Sequence, residues 1–250
     1  PATRPGQVAC GELGRALKVM RGAVEQGMTG DLHSASGLVG GDAAKLREGP
    51  AGPLSGTPFS DVLARALAVQ EVNAAMGVIV AAPTAGGAGV LPAVLTGLAA
   101  ARGIPDEHVI TALACAGLIG AVVAERASLS GAEGGCQAET GAAAGMAAGA
   151  ATEMLGGSPA QVGHAVALAQ QATLGLVCDP LGGLVELPCV FRNATGSAIA
   201  LAASEMALAG ITFAIPADEV IDVMGEIGRE MDVRYRETAG GGLAATPTGR

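Results

Sequence analysis

Three cysteines stand in segments punctuated by glycine or proline: Cys136 in Gly134-Gly135-Cys136-Gln137, Cys178 in Val177-Cys178-Asp179-Pro180, and Cys189 in Pro188-Cys189-Val190. Each falls at an apparent helix start or loop. There, backbone N–H groups and the helix dipole stabilise a thiolate, the form of cysteine that binds metal. None belongs to a Cys-x-x-Cys pair, so a zinc ribbon is poorly supported. Residue type and spacing alone leave two readings open, a metal or cluster site and three inert thiols. Cys115 lies inside the apolar run Thr111 to Val123 and Cys10 lies near the terminus, and both are expected to be buried structural thiols.

Other polar groups are candidates for supporting roles. Glu139 and Glu186 flank the cysteines, where burial beside other anions makes a bare carboxylate costly, so partners such as Arg192 or Arg126 are expected. Lys45 beside Asp42 reads as a solvated ion pair or a carboxylate-steering cation. His33, His108 and His164 sit in unrelated contexts and read as surface or packing residues.

The elements that must position these groups are helical. Leu13, Leu17, Met20 and Val24 recur at spacings of three and four, predicting a helix over Gly11 to Gln26. Leu32 to Pro58 is rich in Gly and Pro and reads as an ordered loop around a short helix. Ser60 is the expected N-cap of a helix running toward Met76. The turn Pro83-Thr84-Ala85-Gly86-Gly87-Ala88-Gly89 breaks that helix. Further helices are predicted at Leu91 to Ala101, Asp106 to Ala127, Cys136 to Leu155, Pro159 to Leu174, Asn193 to Leu208 and Ala217 to Gly228, with a Gly-rich tail from Thr238. Between Ala138 and Met154 nearly every residue is Ala, Gly, Thr or Met, leaving no polar face for water. The expected fold is therefore all-α, one domain over 1–250, with this Ala/Gly-rich helix buried at its centre and ringed by others. No alternating pattern persists long enough to build a sheet.

Composition sets outer limits on function. Half the residues are hydrophobic but only 2% are aromatic, which favours closely packed helices with small side chains between them. A net charge of −9 and scattered basic residues argue against a nucleic-acid partner, which needs clustered Lys and Arg. Mean hydropathy is +0.47, and Ala74 to Ala101 carries no charge, long enough on paper to cross a bilayer. Pro83, Pro92 and the glycines interrupt it, and with no Trp and one Tyr there is no aromatic belt, so no membrane span is expected. The odd count of five cysteines and the absence of an export signal point to reduced thiols in a cytoplasmic protein. The start at Pro1 suggests that an N-terminal segment was trimmed or lies elsewhere.

Five segments together resemble the alpha domain of iron-sulfur L-serine dehydratases: Asn73-Ala74-Ala75-Met76-Gly77, Ala82-Pro83-Thr84-Ala85-Gly86, Ser130 through Glu139, Leu174 through Pro180, and Val185 through Asn193. The likeness continues into Arg236-Glu237-Thr238 and Gly241-Gly242-Leu243-Ala244 and covers almost the whole chain. It implies that Cys136, Cys178 and Cys189 hold a 4Fe-4S cluster with one iron free of protein sulfur. An open iron acts as a Lewis acid on the 3-hydroxyl of L-serine. The implied activity is dehydration of L-serine to aminoacrylate and then pyruvate plus ammonia, without pyridoxal phosphate, in amino-acid catabolism and gluconeogenesis. Asn73, Thr84 and Lys45 are then candidates for binding the serine carboxylate, although Asn73 serves equally well as a brace of neighbouring backbone. The general base is not identified.

The departures from the family pattern also carry information. The Ser-rich stretch with histidine found in the beta domain is absent, so the chain resembles the separate alpha subunit and full activity should require a beta partner within an oligomer. Some family members end in a cysteine that can reach the cluster, whereas the last cysteine here is Cys189, so self-capping of the open iron by that route is not expected. Val39-Gly40-Gly41-Asp42 stands where the family has a Thr-Gly-Gly-Asp loop. Alternative readings are a cysteine-desulfurating lyase using the same cluster, and a non-catalytic helical module or membrane carrier with inert thiols.

Overall fold

The computed structural model describes residues 5–49 and 58–250. Among them every long element is a helix, and the only extended pairing is one isolated parallel bridge between Cys178 and Arg236. The all-α expectation holds, and residues 50–57 of the anticipated Gly- and Pro-rich loop lie outside the described residues.

The first helix, α1 (Pro5–Gly27), buries Leu17, Met20, Ala23 and Val24 against α3 (Phe59–Ala74). The short α2 (Asp42–Glu48) also packs on α3. Its orphan first-turn donors are met by a buried side chain from α3. Glu71 Oε1 accepts the N–H of Asp42 at 2.6 Å and of Ala43 at 3.1 Å. The start of α3 departs from expectation: the cap is Pro58, with no side-chain bond, and Ser60 lies inside the first turn. Pro needs no N–H at a helix start, so the hydroxyl cap is dispensable there. The helix also stops short of Met76, which adopts φ 62.

The uncharged stretch from Ala74 is broken as expected, into an irregular turn and α4 (Val90–Arg102). The helix that is long and apolar enough to cross a membrane is instead α5 (Asp106–Arg126), with mean hydropathy 1.8 over its best window. It lies against the later helix Ala142–Met154 on one side and exposes Leu118 and Val122 on the other.

After α6 (Gly131–Gly134), the anticipated single helix from Cys136 begins instead as a π-turn, Gln137–Gly141, and becomes regular only in α7 (Ala142–Met154). The central position of α7 is as expected: every residue but Glu153 is buried, and it touches α4, α5, α8 (Pro159–Gln171) and α9 (Cys189–Leu208). Alanine suits such a site because it buries a methyl group, worth about 0.8 kcal/mol, with no rotamer entropy to lose. The start of α8 is fixed by a capping box between Ser158 and Gln161.

The last long helix, α10 (Ala217–Glu230), packs on α8, α6 and the π-turn. The segment anticipated as a Gly-rich tail is built into the fold. The segment just before it, Tyr235 to Glu237, pairs its backbone with Cys178, and the tail itself is tied down by Leu243 N–H donating to Asp179 Oδ2 at 2.7 Å within a 3-10 turn at Gly242–Ala245.

Candidate active site

The fold brings Cys136, Cys178 and Cys189 together, each buried at 2–4% exposure. Cys136 precedes the π-turn, and its sulfur lies 3.3 Å from Thr140 Oγ1 one turn on. Gln137 beside it stitches three segments. Its Oε1 accepts the N–H of Gly175 at 2.9 Å, its Nε2 donates to Met224 O at 3.0 Å, and its backbone N–H bonds Leu176 O at 3.0 Å. The π-turn is thereby tied to the loop that carries Cys178.

Cys178 is not at a helix start. It is clamped in extended backbone: its N–H donates to Tyr235 O at 2.8 Å, and its carbonyl accepts from Glu237 N–H at 2.9 Å. The neighbouring Asp179 accepts the N–H of Leu243 at 2.7 Å and forms an ion pair with Arg192 at 2.8 Å. Cys189 does open a helix, α9, and a buried side chain one turn below it locks that helix to the turn before α4. Asn193 Nδ2 donates to Cys189 O at 2.8 Å and to Gly86 O at 2.6 Å, while its Oδ1 accepts Gly89 N–H at 2.8 Å.

Glu139 completes the cluster of side chains. Its Oε1 accepts a hydrogen bond from Thr84 Oγ1 at 2.7 Å. A methyl group at Gly131 would lie 2.7 Å from Glu139 Oε2 and 3.2 Å from Cys178 Sγ, and one at Gly86 would lie 2.9 Å from Glu139 Oε2. Glycine at these two positions keeps open the space that the carboxylate and the sulfur border.

The electrostatics follow from crowding acidic groups in a buried space. Cys136 is held below the ordinary thiol range, first by the hydrogen bond from Cys178, with Thr140 and Arg192 adding to it against the cost of burial. Cys178 is correspondingly raised, so that pair retains a proton. Burial, then the neighbouring Cys136 and Glu139, push Cys189 up to about 12 despite its place at a helix start. Thiolate stabilisation therefore falls on Cys136 rather than on all three cysteines, because three such anions repel one another. Burial raises Glu139 to about 7, with Cys136 and Glu237 adding to the shift and the Thr84 hydrogen bond opposing it.

The expected arginine partners are engaged elsewhere: Arg192 with Asp179 and Val177 O, and Arg126 with Asp222 at the surface. Hydroxyls serve instead, Thr84 for Glu139 and Ser36 for Glu186. For Glu139 a neutral donor suffices, because burial raises its pKa to about 7 and its carboxyl holds a proton part of the time. Asn73 Nδ2 points at Ala85 O and at Gln70 Oε1, both at 3.3 Å, bracing the turn that carries Thr84. Lys45 stands exposed on α2, paired with Asp42 at 2.8 Å. Val39 is buried at 3%, so its place in the glycine loop is packed rather than open. Cys10 is exposed and Cys115 half-buried, against the expectation that both would be buried.

Among the described residues no three His, Cys, Asp or Glu side chains are grouped to hold a single metal ion. Cys178 Sγ and Glu139 Oε2 lie beside Gly131, Glu139 Oε2 also lies beside Gly86, and the three thiols are close enough to influence one another electrostatically. Three buried thiols are soft donors of the kind that hold a polynuclear iron-sulfur group, and the guanidinium of Arg192 beside Cys136 offsets its negative charge.

Comparison with known proteins agrees with this constellation. The family profile of the serine dehydratase alpha chain matches residues 7–244. A protein named probable L-serine dehydratase, alpha chain, from Bacillus subtilis (strain 168) is 53% identical over 243 residues, spanning 96% of this chain and 80% of the relative. The L-serine dehydratase alpha chain of Peptoniphilus asaccharolyticus is 46% identical, spanning 76% of this chain and 66% of its own length. The L-serine dehydratase of Streptomyces coelicolor is 44% identical across 91% of this chain, which corresponds to 51% of that longer protein. With its three cysteines converging on one buried space and its matched segments running nearly end to end, the chain belongs to the serine dehydratase alpha chain family.

Proposed function

We propose that this chain is the catalytic alpha part of an L-serine dehydratase that converts L-serine to pyruvate and ammonia without pyridoxal phosphate. The observation that carries the reading is the convergence of Cys136, Cys178 and Cys189 on one buried space bordered by the Thr84–Glu139 pair. Cys136, Cys178 and Cys189 would hold a 4Fe-4S cluster, which supplies a Lewis acid for the departing 3-hydroxyl.

The chain's own residues supply the rest. Glu139 is the carboxylate bordering the thiol space, and its Oε2 is the atom placed to hold or move a proton there. Thr84 fixes the rotamer of Glu139 by donating to Oε1, which leaves Oε2 directed into the space kept by Gly86 and Gly131. In the elimination, the α-proton passes to a base and the hydroxyl leaves as water, giving aminoacrylate that water then hydrolyses. A carboxylate titrating near neutrality suits either transfer. Arg192 keeps a positive charge against Cys136 and ties Asp179 to the same frame. The remaining contacts to serine would come from a beta subunit, and readily oxidised thiols fit a reducing, cytoplasmic setting.

The test is anaerobic purification and iron reconstitution, followed by visible absorption and pyruvate formation from L-serine and from L-cysteine, with and without a candidate beta subunit. A brown chain that forms pyruvate from L-serine only with the partner supports the reading. Failure to take up iron under reducing conditions removes the cluster and the mechanism together.

A further inference from the structure

A cavity of about 420 Å³ opens between α6 and α10, and neither the three cysteines nor Glu139 lines it. Its wall carries two guanidiniums, those of Arg229 and Arg236. Neither forms an ion pair with any described residue. Arg236 Nε is buried and has no hydrogen-bond partner. A buried guanidinium N–H without an acceptor is a costly arrangement that a bound anion would relieve. Arg229 folds back over the helix, so that a methyl group at Gly225 would lie 3.2 Å from its Nη1.

The acids nearby are already engaged. Glu133, on the cavity wall, accepts a hydrogen bond from Ser128 Oγ at 2.6 Å. Asp232, within electrostatic reach of Arg236, is bonded to the backbone and side chain of Arg234. Two arginines against one lining carboxylate leave a single net positive charge. Met224, Ala132 and Ala138 give the wall an apolar side, and the Ser128 hydroxyl on it is already donated to Glu133. A phosphate would carry too much charge and no apolar part for such a wall, whereas a short carboxylic acid matches both features.

The geometry points to a binding site for a short monocarboxylate between Arg229 and Arg236, separate from the thiol space. The site is coupled to that space through the chain. Gly134 and Ala138 flank Cys136, and the backbone of Arg236 forms the bridge that holds Cys178. An occupant would touch the Cys136 segment and the Arg236 segment that pairs with Cys178, and so stiffen the frame between them. This inference does not depend on the cluster or on the activity proposed above.

Isothermal titration of the full chain with pyruvate as the probe tests it directly. One saturable site per chain is expected, weakened about ten-fold or more by Arg229→Gln or Arg236→Gln. Gly225→Ala should also weaken it by displacing Arg229, although no charge is removed. Cys136→Ala should leave the titration unchanged, which separates this site from the thiol space. Arg229 is exposed, so its variant keeps the test valid even if the Arg236 variant fails to fold, as circular dichroism would show. No saturable binding, binding that survives both arginine substitutions, or inorganic phosphate binding as tightly as pyruvate would each overturn the proposal.

Discussion

Thr84 Oγ1 donates a hydrogen bond to Glu139 Oε1 at 2.7 Å across 55 residues of sequence, joining the turn after α3 to the π-turn that follows Cys136. One carboxyl oxygen is thereby satisfied, and the other borders the space beside Cys178. Glu139→Gln should therefore lower kcat by a factor of about 10² to 10⁴, the range for loss of a positioned acid or base, with little change in KM. Iron content should be preserved. Thr84→Val, which frees the carboxylate to rotate, should cost less, about ten-fold. Full activity in Glu139→Gln would remove this residue from the reaction.

The cysteines divide cleanly by position. Replacing Cys136, Cys178 or Cys189 with Ala should each lower reconstituted iron from about four per chain to near zero. The same change at Cys10 or Cys115, which lie away from the shared space, should leave it unaltered. Iron analysis and visible absorption read the outcome, and a stable iron complement in any of the first three variants would contradict the ligand assignment.

Asn193 is fully buried and makes three bonds, to Gly86 O, Cys189 O and Gly89 N–H. Asn193→Ala strands those backbone groups, and with about 1–3 kcal/mol for each unsatisfied buried group a loss of roughly 3 kcal/mol is expected in denaturant unfolding. Asn193→Asp keeps the acceptor for Gly89 but points an anion at two carbonyls, so it should be no milder. An unchanged unfolding midpoint would mean that Asn193 does not tie α9 to this turn.

A pH dependence follows from Glu71. Burial first, and then the nearby Asp42, raise its pKa above the ordinary carboxylate value, although the N–H groups of Ala43 and Asp42 pull in the opposite direction. The folded state thus binds its proton more tightly than the unfolded chain does. The contribution of Glu71 to stability is then greatest below its unfolded pKa and declines as pH rises through the folded value. Lys45 and Asp42 face the same group. Glu71→Gln should flatten this decline in thermal unfolding measured from pH 4 upward, while wild-type slope in the variant would assign the dependence to another group.

Much of this architecture is legible in the residues. The burial of α7 on all sides follows from a run of Ala, Gly, Thr and Met that offers water nothing, and periodicity locates most helices to within a turn. The π-turn at Gln137–Gly141 is not legible, because one residue of extra winding leaves no mark on a run of small side chains. The Ser60 cap failed because Pro58 starts that helix without a side-chain bond. The site is harder still to read. Cys136 and Cys189 announce themselves through glycine and proline, but the hold on Cys178 comes from the backbone of Tyr235 and Glu237, which carries no sequence signal. Glu139 could be read as a carboxylate flanking Cys136 at the start of an apolar helix, although its place beside Cys178 could not. Its partner could not, since a threonine is as fit for a turn as for a hydrogen bond.

The bridge between Cys178 and Arg236 also bears on the order in which the protein can be completed on the ribosome. Asp179 waits for Leu243, which is 64 positions further along. All three thiols are therefore synthesised before the Tyr235–Glu237 segment that seats the middle one. Until then Cys178 lacks its two backbone tethers and is open to oxidants and stray metals. Under the proposed function, loading of the site would be a late event in the life of the nascent chain, and a message truncated before Tyr235 should yield a protein with all three cysteines but without the backbone tethers of Cys178.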